Sequence, residues 1–183
     1  RTIAPDEHRK QGLGSFRMSD VATQSREPSL RFMLSHPAHV ISLGFGAGLA
    51  PFAPGTFGTL LGLFTARWLQ PLLGDTLFFA ALFGALLIGT WAAGVTGRAL
   101  GESDHGAIVW DEVIAMALIT AMLPGAMWKQ ASAFLLFRFF DIRKPGPVGW
   151  ADRNVKGAFG VMLDDLVAAA LTMFVMALWV RFV

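Results

Sequence analysis

From Phe32 to Ala66 the chain carries no Asp, Glu, Lys or Arg, and Thr76 to Gly97 is a second run of 22 uncharged residues. Roughly 20 apolar residues suffice to cross a bilayer. The second run, mostly Leu, Phe, Ala and Gly, reads as an unbroken transmembrane helix. The first does not, because Gly44, Gly46 and Gly48, then Pro51, Pro54 and Gly55, interrupt it, and Gly and Pro disfavour helix interiors. A helix restarting at Pro54-Gly55-Thr56 is expected, with Thr56 as the cap of Phe57 to Trp68. Val113 to Phe137 is broken by Leu123-Pro124-Gly125 into halves of about 11 residues, each too short for a ~30 Å hydrocarbon core at about 1.5 Å per residue. The expectation there is a helical hairpin that leaves and returns on one face, either dipping into the membrane or packed above it on the other helices. Leu166 to Val180 reads as a last helix, ending on Trp179 and Arg181 as an interfacial anchor does.

The pattern makes the fold class all-α, a helical integral membrane protein. Composition agrees: 54% of the 183 residues are hydrophobic and the mean hydropathy is +0.53, far above a soluble domain. Residues 1–30 are polar and mildly basic without periodicity, which predicts a flexible tail. Residues 31–183 then form one membrane-embedded helical domain. The net charge is only +2 and no basic stripe interleaves with aromatics, which argues against nucleic acid as a partner. The absence of Cys excludes disulfides and thiolate-bound metal.

Basic residues orient the chain. The tail through Arg31 has six Lys and Arg and residues 138–156 have five, whereas the 67–75 segment has only Arg67 and the C-terminus only Arg181. By the positive-inside rule the tail and the 138–165 region face the cytoplasm. Spans near 40–66 and 76–97 bring residues 98–112 back to that side.

Two polar islands then stand out. Phe137 to Asp165 holds four Asp, three Arg and two Lys, and Asp104-His105 through Asp111-Glu112 precedes an apolar helix. Asp141 and Lys144 are three apart and would share a helical face. Asp111-Glu112 and Asp164-Asp165 each head an apolar run, which admits two readings. They complement the helix dipole, or, brought side by side, they form an oxygen-rich cage for a hard divalent cation. Arg138, Arg143, Lys144, Arg153 and Lys156 beside such a cage suggest an anionic ligand, with Arg143 and Lys156 read as topology or headgroup residues. Gly44 to Gly48 with Pro54-Gly55-Thr56 could offer backbone N–H groups to a phosphate, although packing or hinge glycines explain them as well.

The blocks GFGAGLAPFAPGTFGTL (44–60), DHGAIVWDE (104–112) and FRFFDIRKPGPVGWADRNVKGAFGVMLDDLVA (137–168) resemble those of the phosphatidylglycerophosphatase A family. The third, with D-x-x-K-P-x-P, D-R-N and G-x-M-x-D-D, is the most specific. The resemblance implies an all-helical, Mg²⁺-dependent enzyme of the bacterial inner membrane that converts phosphatidylglycerophosphate to phosphatidylglycerol and phosphate at the cytoplasmic face. It places Asp104, His105, Asp111 and Glu112 on the family's first acidic motif, and Asp141, Lys144, Asp152, Arg153, Asp164 and Asp165 on its second. Where family members often have Gly-Gly, this chain has Gly157-Ala158, a methyl that is tolerated unless φ must be positive.

The mechanism expected from these residues puts one or two Mg²⁺ among Asp104, Asp111, Glu112, Asp164 and Asp165, with Asp141 or Asp152 completing the shell. Lys144 and Arg153 would stabilise phosphoryl oxygens, with Arg138, Gly55 and Thr56 also on the substrate. His105 or a spare Asp would protonate the departing oxygen. Water attack and an aspartyl-phosphate intermediate both stay open. Two other classes compete: a CDP-alcohol phosphotransferase, whose D-G-x-x-A-R signature is absent, and a cation carrier, which would want acids in mid-span rather than at segment ends.

Overall fold

The computed structural model describes residues 28–182, so the tail expected at 1–30 lies almost wholly outside the described residues. Among these residues every regular element is helical. Two short helices come first, α1 (Leu30–Met33) and α2 (Pro37–Ser42). Ser29 caps α1 by accepting from the Phe32 N–H at 3.2 Å, and His36 caps α2 through Nδ1 at 3.1 Å from the Ala38 N–H. A 3₁₀ segment over Gly44–Leu49 follows, with Phe45 and Gly46 at positive φ.

The glycines and prolines therefore do break the first apolar run, and the span expected near 40–66 is not one helix. The long helix α3 occupies Pro54–Leu73 instead, with Pro54 in its first turn and Arg67 inside it. Thr56 is not its cap. The chain enters α3 through Ala53 at φ 47, and the Thr56 N–H bonds the Ala53 carbonyl at 2.9 Å. Proline suits a first helical turn because its missing N–H is unpaired there in any case.

Gly74, at φ 72, turns the chain into α4 (Asp75–Leu100), and a Gln70 Nε2 to Asp75 Oδ1 bond of 2.9 Å spans the turn. The uncharged run of Thr76 to Gly97 is thus one helix, stopped by Gly101 in the left-handed conformation. The expected hairpin is present as α5 (Trp110–Met122) and α6 (Met127–Arg143), joined around Pro124 and Gly125. α7 (Pro147–Asn154) and α8 (Gly157–Phe182) complete the chain. α8 begins well before Leu166, so Asp164-Asp165 lies two turns inside a helix and not at its mouth. The dipole explanation for that pair fails, since the effect fades within the first turn.

Short turns make successive long helices antiparallel. The starts of α3, α5 and α8 and the ends of α4 and α6 gather at one end of the bundle. At the other end Arg67 reaches Gln130 (3.2 Å), Gln70 reaches the Ala121 carbonyl (3.4 Å), and Trp128 meets Trp179 edge-on. α3 and α5 pack closely because small residues line α3. A side chain at Gly58 would strike Val109, and one at Gly62 would overlap the Val113 carbonyl, the close approach that small residues permit between helices. The core behind the site is Met116, Ile119, Phe137, Val148 and Ala168, all buried.

α4 and α8 are each long and apolar enough to cross a membrane. At about 1.5 Å per residue each is about 39 Å long. Phe83, Leu87 and Ile88 on α4, Phe64 and Trp68 on α3, Leu135 and Phe139 on α6 and Phe174 on α8 are exposed, an apolar girdle around the bundle.

Candidate active site

All seven acidic residues from Asp104 to Asp165 lie at the end where α5 and α8 begin, and the fold sorts them into two groups. In the first, Asp111 and Glu112 occupy the first turn of α5 and face Asp165 from α8. One ligand oxygen from each lies within 4.8 Å of the others. Asp111 and Asp165 are buried. Arg138 of α6 donates to Asp141 Oδ2 at 2.6 Å and to Glu112 Oε1 at 3.4 Å. Asp141 in turn lies beside Asp165.

Arg138 bonds two of these four carboxylates, and among the described residues no other cation pairs with any of them. Two unit charges 4.8 Å apart repel by roughly 3.5 kcal/mol at an effective dielectric of 20, so the trio requires further positive charge or protons. Glu112 Oε2 and Asp165 Oδ2 are buried without a hydrogen-bond partner. Unpaired buried carboxylate oxygens are costly, and a cation coordinated by oxygen removes that cost. The residues therefore fit a hard divalent ion such as Mg²⁺, which takes carboxylate oxygens and retains waters.

In the second group, Lys144 Nζ bonds Asp152 Oδ1 at 2.5 Å and Asp164 Oδ2 at 2.6 Å. Lys144 ends α6 in the left-handed conformation at φ 44, which turns its side chain toward α7 and α8. It therefore does not pair with Asp141 along one helical face as its spacing suggested; Asp141 pairs with Arg138 instead. Burial opposes the charge on Lys144, but hydrogen bonds with Asp152 and Asp164 outweigh it and raise its pKa above the ordinary lysine value. The Lys144 hydrogen bond holds Asp152 below the usual carboxylate range. Asp104 is exposed and joins Asp152, Asp164, Lys156 and Gly160 around a cleft of about 90 Å³.

The sign of the Asp152 shift gives a prediction. A carboxyl depressed in the folded state stabilises the fold above its unfolded pKa, 3.8, and loses that contribution as pH falls through the folded value. Asp152→Asn is expected to lower Tm at pH 7 and to match wild type progressively more closely as the pH falls below about 4, read by thermal melts in detergent. Both partners are partly exposed, so the gap should be small, within about 1 kcal/mol.

The remaining candidates are dispersed around these groups. His105 is half-buried, accepts from the Ala107 N–H through Nδ1 at 3.2 Å, and lines a different cleft with Gly48, Pro51 and Pro54. Arg153 is exposed and makes no ion pair among the described residues. Lys156, read from sequence as a headgroup residue, donates to the Asp152 carbonyl at 2.7 Å and borders the small cleft. Gly55 has a use the sequence did not suggest: a side chain there would overlap Glu112 Oε1 and crowd the Arg138 guanidinium. Its signal was its place in a Gly55, Gly58, Gly62 stripe at helical spacing. Thr56 has its N–H occupied by the Ala53 carbonyl. Gly157 is at φ +77 while Ala158 is not at positive φ, so the alanine costs no backbone strain.

Comparison with known proteins identifies the family. The Phosphatidylglycerophosphatase A family profile matches residues 40–180. Phosphatidylglycerophosphatase A of Haemophilus influenzae is 39% identical over 143 residues, covering 78% of this chain and 88% of that protein. The Escherichia coli protein of that name is 38% identical over 143 residues, covering 78% and 83%. A putative phosphatidylinositol-3-phosphatase of Bacteroides thetaiotaomicron is 36% identical over 158 residues, covering 77% and 93%. No solved structure matches the chain. With a family profile that matches residues 40–180 and two such relatives, this chain belongs to the phosphatidylglycerophosphatase A family of phosphatases.

Proposed function

We propose that the protein removes the terminal phosphate of phosphatidylglycerophosphate in a Mg²⁺-dependent hydrolysis, acting within the bacterial inner membrane from its cytoplasmic side. The observation that carries the reading is the Asp111, Glu112 and Asp165 trio with two buried, unpartnered oxygens, set at one end of an apolar bundle in a chain of this family. These three residues would hold the ion, with Asp141 adjacent. When bound, Mg²⁺ supplies positive charge to the phosphate and lowers the pKa of water.

The chain's own residues do the rest. Arg138 fixes Glu112 and Asp141 in place by its two hydrogen bonds. Arg153 and Lys156, which no carboxylate engages among the described residues, meet the anionic headgroup, and a bidentate guanidinium suits phosphate oxygens. The Nδ1 acceptor role of His105 leaves the Nε2 N–H of the neutral ring free to hydrogen-bond the departing glycerol oxygen, which takes its proton from the attacking water. Pro54, on the same cleft, is next to Gly55, which packs on Glu112 and Arg138.

The apolar girdle and the length and composition of α4 and α8 support the bilayer placement. The site end carries Arg138, Arg143, Lys144, Arg153 and Lys156, and the opposite end Arg67, Lys129 and Arg181, an excess that supports a site on the cytoplasmic side by the positive-inside rule. The test is phosphate release from phosphatidylglycerophosphate in detergent micelles. Release is expected with Mg²⁺ and is expected to stop in EDTA, returning when Mg²⁺ is restored. Release undiminished by EDTA would remove the metal from the reaction. Because one relative is named for a phosphoinositide, phosphatidylinositol 3-phosphate belongs in the same assay, with the glycerophosphate lipid expected to be the faster substrate.

A further inference from the structure

We propose that Lys144 is a built-in cation that fills the second half of the acidic site, so that the protein binds a single divalent ion, at Asp111, Glu112 and Asp165. The inference rests on the metal reading above and fixes its stoichiometry. Seven carboxylates suggest two ions, and two-metal phosphoryl-transfer sites set their ions about 3.5–4 Å apart, on neighbouring ligands. Asp164, adjacent to Asp165, is where a second ion would be sought. Lys144 Nζ is already there, bonded to Asp164 at 2.6 Å and to Asp152 at 2.5 Å.

Two observations separate the groups. Both buried carboxylate oxygens without a partner, Glu112 Oε2 and Asp165 Oδ2, belong to the first. Among the described residues none belongs to Asp104, Asp152 or Asp164, so the second group shows no unmet demand. The backbone also commits Lys144 to this position. A left-handed φ of 44 is uncommon for a residue with a side chain and persists only where the surrounding structure holds it. The chain then continues through Pro145, Gly146 at φ 48 and Pro147, and the two prolines fix the backbone that carries the lysine stem. Arg138 has a different role, since it leaves its group short of positive charge.

The experiment counts Mn²⁺ ions bound per chain by electron paramagnetic resonance of the free ion, on the purified full-length protein in detergent. Wild type is expected to bind one, Asp165→Asn none, and Asp164→Asn still one. Lys144→Met is expected to bind two, the second on Asp152 and Asp164. Two ions in wild type would overturn the inference while leaving the metal reading intact. Loss of the ion in folded Asp164→Asn would overturn it as well, and so would a folded Lys144→Met that still binds one. If Lys144→Met does not fold, the wild-type and Asp164→Asn counts decide. A wild type that binds no Mn²⁺ removes the metal reading itself and this inference with it.

Discussion

Asp165→Asn is expected to lower phosphate release by roughly 10²–10³-fold, the scale of losing a principal electrostatic element of a phosphoryl or acyl transfer site, while the helices remain folded. Asn keeps the shape of the side chain and removes its charge. In the folded protein the carboxylate is buried, has one oxygen without a partner, and belongs to the trio. Removing its charge relieves repulsion from Glu112 and Asp141, so stability should hold or rise as activity falls. That opposition is the diagnostic part. A purely structural carboxylate would lose stability when neutralised, and an Asp165→Asn protein of full activity would displace the site from this trio. Circular dichroism, thermal melts and the micelle assay measure both sides. Asp164→Asn should be the less severe change, because its partner Lys144 retains Asp152.

The second large effect comes from two glycines on one helix whose substitution should fail in different ways. A methyl at Gly62 would overlap the Val113 carbonyl, a backbone atom that cannot move without shifting α5. Overpacking of that kind costs about 1–3 kcal/mol, so Gly62→Ala is expected to lower Tm and reduce the yield of folded protein. A methyl at Gly55 meets the tip of Glu112 and lies 3.0 Å from Arg138, and side-chain tips can yield. Gly55→Ala should therefore fold nearly as well as wild type but lose activity and weaken Mn²⁺ binding, because Glu112 is pushed out of the trio. Equal Tm losses in the two variants, with Gly55→Ala fully active, would show that Gly55 serves packing alone.

The architecture was legible where hydrophobicity changed sharply. The uncharged run of 76–97 announced α4, and Pro124-Gly125 announced the hairpin. It misled where glycine carried two meanings. Gly157 and Gly160 lie ahead of the expected start at Leu166, and glycine is a poor helix former, so the first turns of α8 were hidden. Gly160 is in fact a packing glycine, its missing side chain making room for the Val155 carbonyl. The helical signal was present: Ala158, Val161, Met162 and Asp165 recur at i, i+3, i+4 and i+7, and Val161, Met162 and Asp165 are buried. The grouping of carboxylates was not legible, because it depends on the left-handed turn at Lys144. Spacing rules for a continuing helix assign that lysine to Asp141, and only tertiary structure sends it across to Asp164. Asp111 and Glu112 were placed correctly, since an acidic pair before an apolar run does begin α5.

Asp164 and Asp165 lie seven and eight residues below the start of α8 at Gly157, about 10–12 Å along its axis. If α8 spans the bilayer as proposed, the reacting phosphate is met at headgroup depth and not in the aqueous phase above. Enzyme and lipid would then find one another by lateral diffusion in two dimensions. The rate should follow the mole fraction of substrate in the micelle surface, falling on dilution with inert detergent even when bulk concentration is held constant.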